Sequence, residues 1–280
     1  MLPMKLRIAV ATVAGSAILS SCASAPERPG TADFGHIHDL SFESASDSLF
    51  IATHAGVYVL ANGDVEGPLG DNRHDFMSFA MAPDGMMIGG GHPDSSAGWG
   101  NHMGFVVSAD RGEEWESLSL TGQVDFHDIE FAGDGYVGYD SQTGVLAYSG
   151  DGVEWESRNT LALYDLAVSP DESETWIATT PDGMLVSVDG GANFGVFVDA
   201  PAETVYLDWS DAQGLWGITA SGELVVSQDV GATWETAGTA PAVGVFEVTP
   251  DGTVYLATEA SVYVSDDRGA TWGDALSVSE

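Results

Sequence analysis

The sequence predicts an all-β protein, a six-bladed β-propeller, on three observations. A Ser-x-Asp-x-Gly-x-x-Trp type of segment recurs five times, with its serines (Ser108, Ser149, Ser187, Ser227, Ser265) spaced by 41, 38, 40 and 38 residues. That period is the length of a blade of four short strands. Six pairs of alternating apolar and polar runs fill the chain, and its 35 glycines leave no stretch with helical periodicity.

Taken in chain order, the first element is an export signal. Lys5 and Arg7 precede an apolar stretch from Ile8 to Leu19, which runs into Leu19-Ser20-Ser21-Cys22. A positive end, a greasy segment too short to span a bilayer and small residues before a cut describe a cleaved signal over residues 1–21. The last four of these residues resemble a bacterial lipobox, which implies cleavage before Cys22, lipid on its sulfur and a cell-envelope lipoprotein of a bacterium held at the membrane by that anchor. Cys22 is the single cysteine, so the fold contains no internal disulfide. Residues 22–33 are small, polar and proline-bearing, the composition of a tether. Residues 34–280 then form one β domain, outside the cytoplasm.

Six inner-strand candidates follow, HIHDLSF, DFMSFAM, FHDIEFA, YDLAVS, TVYLDWS and VGVFEVT, each trailed by a second strand: SLFIATH, MMIGGGH, GYVGYD, TWIATT, GLWGIT and TVYLAT. The repeated segments suit the hairpin between third and fourth strands. Ser and Asp side chains bond turn amides, Gly takes the positive φ, and the aromatic ring covers the turn. These segments resemble the Asp-box, or bacterial neuraminidase repeat, of sialidases, sortilin-type receptors and glycosylhydrolase-like surface propellers. The second copy is one residue short, the third carries Phe194 in place of Trp, and the first blade has none.

All seven histidines lie between positions 36 and 127. In a propeller the first strand of each blade starts on the ring face where the second strand ends, while Asp-box turns lie on the opposite face. His36, His38, His74 and His127 stand at first-strand starts, His54 and His92 end second strands, and His102 follows in the long insertion HPDSSAGWGNHMG. All are thus expected at one mouth of the ring, over three blades. His36 and His38 at i and i+2 share a strand face with Cα atoms about 6.6 Å apart, close enough to close on one ion.

Imidazole with carboxylate suits zinc, copper, nickel or iron, and a thioether tilts the choice to copper. The expected ligands are His36, His38, His54, His92 and His127, with His74, His102, Met77 and Met103 in reserve. Asp39, Asp75 and Asp128, each directly after a histidine, and Asp94 and Asp140, at second-strand ends, are expected as further ligands or as acceptors that fix the imidazole tautomer. The expected cofactor is therefore copper, then zinc. The insertion of residues 92–104 is long enough to cover the site. Gly89 to Gly91 lacks a following Lys-Ser, so it is not a phosphate loop.

The chain carries 43 acidic and 7 basic side chains, a net charge of −36, which repels phosphate backbones and excludes nucleic acid as a partner. The sialidase resemblance implies three arginines around the substrate carboxylate. Outside the signal only Arg28, Arg73, Arg111, Arg158 and Arg268 exist, and Arg73 alone falls near the histidine mouth, so sialidase chemistry is excluded. Two alternatives stand beside metal capture, delivery or sensing. One is a glycan-binding or glycoside-hydrolase propeller acting through Asp128, Glu130, Asp140 or Asp165 on the same face; the other is a scaffold for a protein partner.

Overall fold

In the computed structural model, residues 34–277 are described apart from 83, 211, 259 and 260; the expected signal, Cys22 and the tether lie outside the described residues. Twenty-four strands form six four-stranded antiparallel sheets, and each sheet takes four strands consecutive in sequence. The innermost strands are Ile37–Glu43, Asp75–Met81, Phe126–Ala132, Asp165–Val168, Thr204–Ser210 and Phe246–Val248. Each packs on the next, and the last packs on the first, so the ring closes. The described residues contain no helix. The six-bladed propeller read from the sequence is the observed fold.

The five Ser-x-Asp turns share one hydrogen-bond pattern. The amides of Gly112, Gly152, Gly191, Gly231 and Gly269 donate to the buried serine hydroxyls at 2.7–2.9 Å. Each hydroxyl in turn donates to the aspartate two residues on. Asp110, Asp151, Asp189, Asp229 and Asp267 also accept amides further along the turn, and these bonds hold their carboxyls below the usual range. Blade one instead turns through Asn62-Gly63, both at positive φ, the two-residue hairpin that needs no serine.

Blades adhere through apolar clusters between neighbouring sheets. The closure between blades six and one buries Phe34, Ile37 and Leu40 against Ala257, Val262 and Leu276. At the axis a polar bond crosses each of the six boundaries. Asp39 accepts the Phe79 amide at 2.9 Å, Asp128 accepts that of Leu166, Asp165 that of Leu207 at 2.6 Å, Asp208 that of Val248 at 2.9 Å, and Glu247 that of Phe42 at 3.2 Å. Between blades two and three the Ser78 hydroxyl donates to the Phe126 carbonyl at 3.4 Å. Innermost strands have no sheet partner on their axial edge, and the five carboxylate bonds satisfy amides there that the ladder leaves open.

Candidate metal centre

A β-bulge interrupts the pairing of the first two strands at the mouth end of blades one, two and three. The register breaks between Ile37 and Asp39, between Phe76 and Ser78, and opposite His127, where Tyr139 pairs with Asp128 and Asp140 with Phe126. The extra residues are His38, Met77 and His127. A bulge at a strand end re-aims its side chain. All three side chains line both the cavity at the mouth, of ≈ 810 Å³, and the channel beneath it, of ≈ 290 Å³.

In blade three the bulge is clamped by packing. Phe126 lies over Gly90 of blade two and Gly138 of its own blade, where an added Cβ would stand 2.7 and 2.6 Å from its atoms. Gly90, in the Gly89–Gly91 run, thus admits the neighbouring blade and fixes the strand that carries His127.

The histidines form two groups. In the first, the His36 and His38 ring centroids lie 4.6 Å apart and His38 and His54 4.5 Å apart, and one ligating nitrogen from each falls within 4.8 Å of the others. His38 Nε2 is 3.2 Å from His54 Nδ1 and 3.5 Å from Asp75 Oδ1. His54 Nδ1 is hydrogen-bonded to Asp75 Oδ1 at 2.6 Å. The His38 side chain is 9% exposed, and burial with the neighbouring His54 holds its pKa down to about 4, so it presents a neutral imidazole, the ligating form, near neutral pH.

The second group combines His92, Asp125 and His127, again with ligand atoms within 4.8 Å; His102 lies outside that set and adjoins it through Asp125. Asp125 Oδ1 lies 3.7 Å from His92 Nδ1 and 3.6 Å from His102 Nδ1, and Asp125 Oδ2 lies 3.2 Å from His127 Nε2. Asp125 is 6% exposed, and both its Oδ1 and His102 Nδ1 are sealed from water with no hydrogen-bond partner. Such atoms ordinarily cost about 1–3 kcal/mol each when left unsatisfied. Two facing lone-pair donors at this distance match a cation between them. Neutral imidazoles and carboxylates suit a borderline divalent ion, so both groups fit a transition metal.

Six of the seven histidines therefore meet in two groups, each with one carboxylate. His74 stands apart, fully buried, stacked on Trp99 at 4.9 Å and accepting the Asp94 amide at Nδ1. Burial holds its pKa down. Met103 is also fully buried, in the core beside Phe50, Val57 and Phe76. Asp140 accepts from Gln142 and Thr143 and shapes the turn that meets Asp125. Asp39 and Asp128 point into the channel, with Asp39 spent on the Leu40 and Phe79 amides.

Asp125 is absent from the sequence-derived candidates, yet Asp125-Phe-His127 repeats the i, i+2 spacing of His36 and His38. That spacing was the available signal. Gln142, 3.2 Å from His102 Nε2, was equally missed and carries no such signal.

Below the mouth, Asp39, Asp128, Glu130, Asp165, Asp208 and Glu247 line one channel. Enclosure raises Asp39 and Asp208 to about 7, and enclosure with mutual repulsion pushes Asp128, Glu130, Asp165 and Glu247 well above the usual range. The other half of the mouth is apolar and aromatic, with Leu163, Tyr164, Tyr206 and Val243.

No protein-family model matches the chain, and no curated protein matches it in sequence. Solved structures do. The gluconolactonase XC5397 of Xanthomonas campestris superposes with a TM-score of 0.60 at 14% identity over 81% of this chain and 84% of that one. The extracellular domain of BT4673 from B. thetaiotaomicron gives 0.58 at 13% identity over 87% of this chain, and the Niastella koreensis GH74 enzyme 0.55 at 17% over 86%. The likeness is one of fold. This chain spans about a third of the BT4673 domain (33%) and 37% of the GH74 enzyme.

Proposed function

We propose that the protein is a metal-binding propeller that takes up a transition metal, copper first and zinc second, at its histidine-lined mouth, as a lipid-anchored protein outside the cytoplasm of a bacterium. Its work is capture, delivery or sensing of the ion. The observation that carries this reading is the meeting of six histidines and two carboxylates in two groups on one rim, with Asp125 Oδ1 and His102 Nδ1 of the second desolvated and unpartnered. The preference for copper rests on Met77, whose side chain lines the mouth together with His38 and His127. The lipobox-like residues before Cys22 support the anchor, and the BT4673 fold relative is an extracellular domain.

Elemental analysis of the tag-free protein purified without chelator tests this reading. Stoichiometric copper or zinc is expected. Metal below a tenth of an equivalent, in protein from metal-replete cells, contradicts it.

A second reading has its own observation. Asp128, Glu130 and Asp165 share the channel beneath Tyr164 and Tyr206, a setting in which a carboxylic acid and a carboxylate coexist at neutral pH, as glycoside hydrolysis requires. Turnover of chromogenic glycosides that persists in chelator and in His38→Ala, His54→Ala protein favours this second reading over the first.

A further inference from the structure

We propose that the Asp125 group is a metal clasp that fastens the 92–104 insertion to blade three, and that it differs in kind from the open His36/His38/His54 group. The inference rests on the metal-binding reading and assigns one of its sites a separate task.

His92 and His102 sit near the two ends of the insertion, whose base is closed by the Met103 amide donating to the Gly91 carbonyl at 2.8 Å. His127 and Asp125 belong to the start of blade three. An ion held by His92, Asp125 and His127, with Asp125 Oδ1 also facing His102, therefore joins an insertion of one blade to the inner strand of the next. Gln142 of blade three meets His102 at 3.2 Å, and elsewhere the insertion is held to blade two and to the connector between blades. Its Trp99 stacks on His74, the Asp94 amide donates to His74, and Gly100 lies against Gly122.

The spacing suits one tetrahedral ion. Ligands about 2.0–2.1 Å from zinc stand roughly 3.3–3.4 Å apart. Asp125 Oδ2 lies 3.2 Å from His127 Nε2, and Oδ1 lies 3.6 and 3.7 Å from His102 Nδ1 and His92 Nδ1, near that value; His92 Nδ1 also faces the Asn101 carbonyl at 3.3 Å, a contact that an ion displaces. Gln142 Nε2 lies 3.2 Å from the far nitrogen of His102; His102 Nδ1 offers a lone pair to an ion once that amide turns so that its oxygen accepts from Nε2–H. The donor set is nitrogen and oxygen, without sulfur, and suits zinc; Asp125 and His102 are enclosed, while His92 and His127 border solvent.

The first group is built otherwise. Its His54 is 46% exposed and its Nδ1 is engaged by Asp75 at 2.6 Å, so an ion must displace a hydrogen bond to bind and leaves it re-formed on departure. That arrangement favours exchange. In the Asp125 group the ion displaces the longer His92 Nδ1–Asn101 and His127 Nε2–Asp125 Oδ2 contacts, at 3.3 and 3.2 Å, while Oδ1 and His102 Nδ1 have no bond to re-form, which favours retention.

Hydrogen–deuterium exchange of the chelator-stripped full-length protein, with and without zinc, tests the clasp. Zinc is expected to slow exchange in residues 93–104 at least tenfold. His92→Ala, whose side chain is 40% exposed and safe to truncate, and Asp125→Asn are each expected to abolish that protection and to remove one of two bound equivalents. His54→Ala removes the other equivalent and leaves the protection in place. Two equivalents bound with unchanged exchange in 93–104, or protection that survives both Asp125→Asn and His92→Ala, overturns the clasp while the metal reading stands. Absence of any zinc binding overturns both.

Discussion

Zinc at about a hundred times its dissociation constant will raise the melting temperature of the chelator-stripped protein by roughly 5–10 °C for each site filled. A ligand bound only to the folded state at that excess contributes about 2.7 kcal/mol, and 1 kcal/mol moves a domain of this size by about 2–4 °C. His38→Ala and His102→Ala are each expected to remove one increment, and the double variant to remove both. The two sites share no ligand, so the losses should add. Without metal the order changes. His102→Ala deletes a buried nitrogen that has no partner, so the stripped variant should lose less than a buried side chain of that size ordinarily costs. Thermal scans of the four proteins with and without zinc check this; equal shifts in all four would place the effect outside the histidines.

The second large effect comes from the channel. Glu130→Gln will stabilise the metal-free protein at pH 8 and do little at pH 5, since each unit that a folded-state pKa is raised is worth about 1.4 kcal/mol once the unfolded state has ionised. The sign follows from the raised carboxyls. Folded protein holds protons that the unfolded chain has released, so stability falls as pH rises from the ordinary carboxyl value through the folded one. For Asp39 and Asp208 that window runs from 3.8 to about 7, and for Glu130 it begins at 4.5 and extends well above that value. His38 acts oppositely between about 4 and 6.5, because its folded pKa is lowered and the unfolded chain binds the extra proton. Above pH 6.5 its contribution is constant. Denaturant midpoints measured from pH 6.5 to 8.5 therefore isolate the carboxyls: a falling midpoint is expected, flattened by Glu130→Gln. A midpoint rising over that range would contradict the enclosed, mutually repelling channel. Glu130 suits the test because it crosses no blade boundary, unlike Asp39, Asp165, Asp208 and Glu247, whose oxygens hold a neighbour's amide.

The same residues show what could be read in advance. Blade number and strand order were legible because each turn repeats the same side-chain chemistry: Ser265 is read as a turn residue for the reason that Ser187 is. Convergence of the histidines at one mouth followed from alternating strand direction alone. The split into two groups did not. It depends on bulges at His38 and His127, which no local pattern announces, and on Phe126 packing between Gly90 and Gly138, a contact across blades. His74 illustrates the limit: its position beside Asp75 matches that of His127 beside Asp128, yet its ring turns under Trp99. Asp39 was read as a partner of imidazole and instead bonds two amides, because the next blade's strand edge comes closer than the neighbouring ring.

Calorimetric titration of copper and of zinc into the stripped, tag-free protein tests the central claim most directly. Two equivalents are expected in the native chain, one in His38→Ala, one in His102→Ala and none in the double variant. A native chain that takes up neither metal saturably, or a double variant that binds as the native does, would contradict the account.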